Sequence, residues 1–286
     1  MQSIFRDNLF AGKTFIVSGG GTGIGRATAR ELAALGAHVV LGSRAPGHLE
    51  ATRDEIIAAG GKASAHRCNI RDPESVSAFF DEVMQEHSQI DGLVNNGGGQ
   101  FLSPAENIEP KGWHAVVETN LTGTFYMAQA AFKRSMREHG GVIVNVVMEM
   151  WRGMPGMAHS GAARAGVVNL TQTLALEWAN YGVRVNSVAP GIIDSSGLKN
   201  YGPAIQPMLQ RVAAEVPAKR MGTESEVAAA IIYLLSPAAT FVSGETLKVD
   251  GAGSLYRLQG YVIPDHEPWG AYEADADATK GESDTP

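Results

Sequence analysis

The sequence has 286 residues, of which 44% are hydrophobic and 19% charged, and it carries a formal net charge of -7 at pH 7. This length allows one large domain or two small ones, and the composition is that of a globular protein with a full core. The negative charge argues against a general nucleic-acid-binding protein. The single cysteine, Cys68, cannot form an internal disulfide, and no spacing of ligand residues suggests a metal site.

Neither end of the sequence contains a recognisable targeting signal. Residues 1–7 lack the long apolar run of a secretory signal, and no run of about 18 apolar residues could span a membrane. The last residues, Ser283-Asp284-Thr285-Pro286, are not a peroxisomal signal of the Ser-Lys-Leu type. These features, with the lone cysteine, predict a cytoplasmic protein.

Strands and helices alternate along the sequence. Strands are predicted near 14–18, 38–42, 63–68, 91–95, 142–147, 183–188 and 245–250. Helices are predicted near 23–35, 46–59, 73–87, 110–138, 158–180 and 224–235. This alternation predicts βαβ units and a doubly wound parallel α/β sheet of the Rossmann type, with about seven strands and helices on both faces. No linker divides residues 1–255, so we expect one domain there.

Two segments depart from the alternation. Residues 192–222 contain several glycines and prolines after a predicted strand, which indicates an irregular substrate insertion at the carboxyl edge of the sheet. Residues 256–286 form a C-terminal extension whose end is acidic and poor in large apolar side chains. We expect that end, from about 275, to be disordered.

A glycine-rich turn follows the first predicted strand. It reads Ser18-Gly19-Gly20-Gly21-Thr22-Gly23-Ile24-Gly25, and a helical pattern begins directly after it. Glycines let the backbone turn tightly and approach a pyrophosphate, while the free N–H groups of the helix face the anion. Strand, glycine turn and helix together predict a dinucleotide site formed by Gly19, Thr22, Gly23, Ile24 and Gly25; the alternative is a bare tight turn.

The spacing of this turn, with three residues between Gly19 and Gly23, resembles that of the short-chain dehydrogenase/reductase family. The resemblance extends over nearly all of the chain. It implies an NAD(P)-dependent oxidoreductase that is commonly a homotetramer.

The second predicted strand ends in Ser43-Arg44, where a site that prefers NAD has Asp or Glu. A hydroxyl and a guanidinium suit a 2′-phosphate, so these residues predict NADP (NADPH) as the cofactor. Family members that use NADP often have a basic residue where this chain has Thr22. The alternative is that Arg44 is an ordinary exposed start of the next helix.

Further cofactor contacts are implied by the family resemblance. Cys68-Asn69-Ile70 would lie near the adenine, although Asn69 could equally cap a turn. Asn95-Asn96-Gly97-Gly98-Gly99 resembles the family's Asn-Asn-Ala-Gly, so Asn96, Gly97 and Gly98 would pass under the cofactor while the asparagines tie strand ends together. Pro190, Gly191 and Ile193 would flank the nicotinamide amide.

The usual catalytic residues of the family are replaced. Aligned on Ala165-Gly166-Val167, the family's Tyr is Ser160 and its Lys is Arg164, and Val147 or Met148 stands where a Ser is expected. Arg164 could hold the nicotinamide ribose, and Ser160 could donate to an oxyanion. Asn120 matches the Asn that holds a water in the family's proton relay. The alternative is that Asn120 is a structural amide. His159 could supply a proton, although a lone His is more often structural.

Three stretches resemble one branch of the family more narrowly, the peroxisomal trans-2-enoyl-CoA reductases. They are Asn95–Ala105, Lys111–Val116 and His159–Arg164. The branch implies NADPH-dependent reduction of the C2–C3 double bond of a trans-2-enoyl-CoA thioester. The alternatives are a 2,4-dienoyl-CoA or 3-ketoacyl thioester reductase, or an NADP-binding regulatory protein without turnover.

Overall fold

Seven parallel strands form the central sheet of the computed structural model, which describes residues 4–201, 206–256 and 263–274. The sheet strands are β1 (Thr14–Ser18), β2 (His38–Ser43), β3 (Lys62–Arg67), β4 (Gly92–Asn95), β5 (Gly141–Val146), β6 (Val183–Pro190) and β9 (Thr246–Val249); β7 (Ile193–Asp194) and β8 (Gly222–Thr223) form a separate pair. The order is β3-β2-β1-β4-β5-β6-β9. The predicted doubly wound fold is confirmed.

Helices cover both faces of this sheet. They are α1 (Gly23–Ala34), α2 (Pro46–Ala58), α3 (Pro73–Glu86), α4 (Pro110–Val117), α5 (Gly123–Ala131), α6 (Arg137–His139), α7 (Ala158–Glu177), α8 (Gln206–Glu215) and α9 (Glu224–Leu235). Pro46, Pro73 and Pro110 each open a helix, where the missing N–H costs nothing. In the described residues, no helix combines the length and apolarity needed to cross a membrane.

The core lies in two layers, one on each face of the sheet. In β1, Phe15 and Val17 pack with α1, α2 and α9, whereas Ile16 packs with α3, α5 and α7. Successive side chains of a strand point to opposite faces, so a strand buried on both faces is apolar throughout. Each large apolar side chain buried in this way contributes roughly 1.5–3 kcal/mol to folding.

The strand order reverses between β1 and β4, which are direct neighbours. Chains leave these two strands toward opposite sides of the sheet, and a crevice opens beyond their carboxyl ends. Ser18 and Asn95 stand opposite each other at this edge. The glycine turn after β1 and the glycine-rich loop after β4 therefore meet.

The long helix predicted over 110–138 contains two π-helical turns. They lie between α4 and α5, at Glu118–Thr122, and between α5 and α6, at Phe132–Met136. Turns of this kind are rare in proteins, and those that occur are often found at functional sites. The first one contains Asn120, whose side chain is fully buried.

The described parts of residues 192–222 contain more regular structure than the expected irregular insertion, and their role as a substrate insertion stays a prediction. A short strand, β7, pairs with β8, and a 3₁₀ helix spans Ser196–Tyr201 before α8. Pro207 is the second residue of α8, a position where proline does not break a helix. Gly202 and Pro203 lie outside the described residues.

The described part of the C-terminal extension, residues 263–274, packs against the start of α9. Arg220 donates to the carbonyls of Trp269 and Gly270, and Thr223 Oγ1 donates to the carbonyl of Tyr272. Thr223 also caps α9 in a capping box with Glu226. The end that we expect to be disordered, residues 275–286, lies outside the described residues.

A chain of buried polar side chains joins three strands to α7. Asn95 Nδ2 donates to Asn145 Oδ1 at 2.9 Å, and Asn145 Nδ2 donates to Thr171 Oγ1 at 2.9 Å. The hydroxyls of Thr171 and Ser187 lie 2.7 Å apart. Because these groups are almost completely buried, each one depends on its neighbour for a hydrogen bond.

Asn145→Ala should lower the free energy of unfolding by about 2–3 kcal/mol, because it removes two buried hydrogen bonds and leaves Asn95 Nδ2 with only a 3.4 Å contact to the carbonyl of Thr124. Asn169→Ala, on the exposed side of α7, is the matched control and should change it by less than about 0.5 kcal/mol. Urea unfolding measures both. Equal stability of the two variants would contradict this role for the polar chain.

Candidate active site

The two glycine loops are in direct contact. Gly19 and Gly23 have φ angles of 65° and 58°, which favour glycine. A Cβ at Gly25 would overlap the carbonyl oxygen of Gly19 and Nδ2 of Asn96. That Nδ2 donates to the carbonyls of Ser18 and Gly19, at 3.1 Å each. The tie between strand ends predicted for the asparagines is therefore present.

Ser18 strengthens this contact from below. Its hydroxyl accepts from the backbone N–H groups of Asn96 and Gly97, at 3.1 and 3.0 Å. Above it, Thr22 caps α1 with extended backbone and makes no capping hydrogen bond with its side chain. The first N–H groups of the 12-residue α1 are thus left for an anion.

The residues that would choose between NAD and NADP lie at the end of β2. The Ser43 hydroxyl is held locally, since it accepts from the N–H of Ala45 at 3.2 Å. Arg44 is exposed, and among the described residues its guanidinium forms no ion pair. A free cation beside the glycine turn is compatible with a phosphate ligand.

The three residues after β3 differ in where their side chains lie. Cys68 is buried in the core, where desolvation raises the pKa of its thiol to about 12, so only its backbone could contribute to a cofactor site. Asn69 Oδ1 accepts weakly from the N–H of Arg71, at 3.4 Å, which is the turn-capping alternative. Ile70 packs under Gly97 and against Gly123.

Arg164 is buried beneath the second glycine loop, with 8% of its surface exposed. Its Nη1 donates to the carbonyl of Val146 at 2.7 Å, and its Nε is buried without a partner in the described part of the chain. A Cβ at Gly98 would overlap Nη2, so only glycine allows this approach. Burial lowers the pKa of Arg164 to about 10, which leaves it cationic at neutral pH.

Asn120 holds the next residue of the loop. Its Oδ1 accepts from the N–H of Gly99, and its Nδ2 donates to the carbonyl of Gly99, both at 2.9 Å. The amide therefore has the inward partner expected of a mid-helix Asn. Because both the oxygen and the nitrogen of the Asn120 amide bond to Gly99, this residue fits the alternative of a structural amide.

Ser160 contacts Gln100, the residue that follows Gly99 in the loop. Its hydroxyl donates to Oε1 of Gln100 at 2.7 Å and lies 3.6 Å from the sulfur of Met148. The Ser160 side chain is fully buried, whereas Gln100 and the two glycines before it are partly or well exposed. The hydroxyl reaches the open crevice only through Gln100.

His159 anchors the loop on its far side. Its ring packs edge to face on Phe101, with centroids 4.3 Å apart, and its Nδ1 accepts from the N–H of Ser160. Burial lowers the pKa of His159, so its neutral form is favoured. A buried neutral imidazole in this position supports the structural alternative for His159.

The residues expected beside the nicotinamide lie after β6. The carbonyl of Pro190 accepts from the N–H of Glu149, and Gly191 packs so closely on Asp250 that a Cβ would lie 2.8 Å from its side chain. Ile193 packs in the core with 6% of its surface exposed. A contribution of Ile193 to cofactor binding would therefore have to come from its backbone.

Two polar residues of this site were missed as functional candidates. Gln100 lies in the motif Asn95–Ala105, but its contact with Ser160, 60 positions away, has no local signal. Glu149 follows the apolar run Val146-Val147-Met148, and one of its carboxylate oxygens is buried without a partner among the described residues. An acidic residue three positions after the end of a buried strand was the available signal for Glu149.

A parallel sheet with two glycine loops at its switch point is the architecture of dinucleotide-binding oxidoreductases. Residues 19–253 match a family described as enoyl-(acyl carrier protein) reductase. The chain belongs to the short-chain dehydrogenase/reductase family.

The proteins to which this chain is similar are named for different reactions. The chain is 36% identical over 256 residues to the peroxisomal 2,4-dienoyl-CoA reductase of Rattus norvegicus, covering 87% of this chain and 86% of that protein. It is 37% identical to the 3-oxoacyl-[acyl-carrier-protein] reductase of Synechocystis, covering 84% and 96%. The solved structure of a citronellol catabolism dehydrogenase (AtuB) of Pseudomonas aeruginosa is 51% identical, with a TM-score of 0.80, covering 89% and 100%.

Gly98→Ala should lower the free energy of unfolding by about 1–3 kcal/mol, because its Cβ would displace the buried end of Arg164 and lie 2.9 Å from Asn120 Oδ1. Gly99→Ala is the matched control, since a Cβ there meets nothing within 4 Å. Thermal and urea unfolding of both variants measure the difference. Equal stability of Gly98→Ala and Gly99→Ala would contradict the tight packing of Arg164 against Gly98.

Proposed function

We propose that this protein uses NADPH to reduce the C2–C3 double bond of trans-2-enoyl-CoA thioesters. The observation that carries the proposal is the replacement of the family's phenol and amine by Ser160 and Arg164, within a site whose loops are otherwise intact. Both side chains are buried and bonded to neighbouring groups, so they are built into the site. The relatives named as acyl-thioester reductases support this class of substrate.

The location of the developing charge explains why a phenol is dispensable. Reduction of a ketone forms an alkoxide on the carbon that receives hydride, so an acid is needed beside that carbon. When bound, the reduced nicotinamide supplies the hydride that adds to C3 of the enoyl thioester. The negative charge then develops on the thioester oxygen, two carbons away, where hydrogen-bond donors stabilise it better than a misplaced acid would.

Arg164 supplies a fixed cation to this site. Its Nη1 donates to the carbonyl of Val146, and its Nε has no acceptor among the described residues. The hydroxyls of the nicotinamide ribose are suited to accept from this Nε. Because Arg164 stays cationic at neutral pH, it raises the potential near the developing enolate without giving up a proton. Asn120 supports it indirectly, since it holds Gly99 next to Gly98.

The cofactor would be held by the two glycine loops and by the ends of β2 and β3. Gly19, Gly23 and Gly25 open the turn below α1, whose N–H groups suit the pyrophosphate. Ser43 and Arg44 suit the 2′-phosphate of NADPH. The proton for C2 would come from water or from a nearby side chain.

A terpenoid-alcohol dehydrogenase is a second candidate, favoured by the 51% identity to a citronellol catabolism dehydrogenase. The absence of a phenol at position 160 opposes it, because alcohol oxidation needs a base beside the reacting carbon. Assembly as a homotetramer and a cytoplasmic location are further parts of the proposal, which the family resemblance and the sequence composition support.

A panel of substrates tests the reaction. NADPH consumption is followed with trans-2-enoyl-, 2,4-dienoyl- and 3-ketoacyl-CoA, and citronellol is offered with NADP⁺ and NAD⁺, with all products identified by mass. We expect the enoyl thioester to be turned over best. A preference for the dienoyl thioester would favour the alternative reductase, and a preference for the ketoacyl thioester or citronellol would overturn the mechanism. Binding of NADPH without any turnover would favour a regulatory protein.

The Arg44 side chain should set the cofactor preference. We expect NADPH to bind more than about tenfold more tightly than NADH, because a charge-assisted contact contributes about 1.5–3 kcal/mol. Arg44→Ala should remove most of this difference, whereas Arg53→Ala, at a half-buried arginine already paired with Asp54, should preserve it. Titration of both cofactors against all three proteins measures the effect, and equal affinities in the unmodified protein would refute it.

A further inference from the structure

We propose that the side-chain amide of Gln100 is the group that donates a hydrogen bond to the thioester oxygen, and that Ser160 is a positioning residue for it. The inference rests on the proposed reduction of an enoyl thioester. It assigns the direct contact with the substrate to a residue other than the one at the family's Tyr position.

The Ser160 hydroxyl is not free to make that contact. It is fully buried and has one proton, which it donates to Oε1 of Gln100 at 2.7 Å. Its other polar neighbour is the sulfur of Met148, at 3.6 Å. A substrate oxygen could reach Ser160 only if Gln100 were moved away and this hydrogen bond were lost.

The same hydrogen bond orients the Gln100 amide. With Oε1 facing Ser160, the NH₂ group points the other way, and no residue in the described ranges accepts a hydrogen bond from it. Gln100 is partly exposed, and it follows two exposed glycines on the floor of the crevice. Two N–H donors are thus presented at the open side of the site.

The backbone that carries Gln100 is held at each successive residue. Gly98 lies against the guanidinium of Arg164, Gly99 is bonded twice to Asn120, and Phe101 packs on His159. Donors fixed before the reaction stabilise a developing charge without a cost for reorganisation. Arg164, Asn120, Ser160 and His159 therefore act together on one loop, and Gln100 is its polar side chain.

A carboxamide also fits the chemistry of an enolate. As hydride adds to C3, the electron pair of the C2–C3 bond moves toward C1 and places negative charge on the thioester oxygen. An amide can bind this oxygen but cannot protonate it at neutral pH, so the proton added to the carbon skeleton goes to C2. The same amide would serve poorly for a ketone, whose alkoxide needs a proton.

Four variants test this assignment, with the best thioester substrate of the unmodified protein. Gln100→Met should lower kcat by about 10²–10³, the loss seen when an oxyanion donor is removed, with NADPH affinity unchanged and the protein still folded. Ser160→Ala should cost only about tenfold. The double variant should be no worse than Gln100→Met, because Ser160 acts through Gln100. Gln85→Met, an exposed glutamine on α3, is the control and should match the unmodified protein.

Gln100→Glu gives a readout that a purely structural role would not produce. A carboxylate cannot donate and repels the enolate, so activity should be low at neutral pH. It should recover as the pH falls and the new carboxyl gains a proton, because the protonated acid can donate again. The unmodified protein should show no such acid recovery.

The outcomes separate the two proposals. If the unmodified protein reduces a thioester but Gln100→Met has an unchanged kcat, or if the Gln100 and Ser160 losses add, the role of Gln100 is wrong and the proposed reaction stands. If the unmodified protein reduces no thioester, the proposed function is wrong and the role of Gln100 falls with it.

Discussion

The contact between the two glycine loops is the constraint on which the rest of the site depends. Gly25 lies on the carbonyl of Gly19, and Asn96 reaches across from β4 to hold the same carbonyl. No side chain fits between these strands of backbone, so the crevice floor is made of peptide groups. Polar side chains of α7 and of the π-helical turn contact this floor from below.

Those side chains form a row beneath the second loop. Arg164, Asn120 and Ser160 each contact a successive residue, Gly98, Gly99 and Gln100. The positions that family members use for catalysis have thus become supports for a loop. Under the proposed role of Gln100, the polar contact with the substrate is made by the loop itself and not by α7.

Much of the fold was predictable because its signals are local. Continuous apolar strands, opening prolines and glycine turns place every predicted strand of the sheet within about two residues, as for β6 at Val183–Pro190 against a predicted 183–188. The helix α8 was missed because Pro207 counts as a breaker until its place in the first turn is known.

The site was less predictable because its contacts join distant residues. The candidate positions could be aligned one by one, but their partners could not. The Ser160–Gln100 bond and the withdrawal of the Cys68 and Ile193 side chains into the core depend on how the sheet edge is assembled. Hydrogen-bond partners 60 positions apart have no periodicity that a sequence window can detect.

The π-helical turn at Glu118–Thr122 has one more consequence. Such a turn accommodates an extra residue compared with an α-helix, so the helix before it and the helix after it are out of phase. The direction in which Asn120 faces is therefore encoded by the number of residues in the segment as well as by their identity. A one-residue deletion there would keep every polar side chain and still rotate the helix face, a change that residue-by-residue substitution cannot mimic.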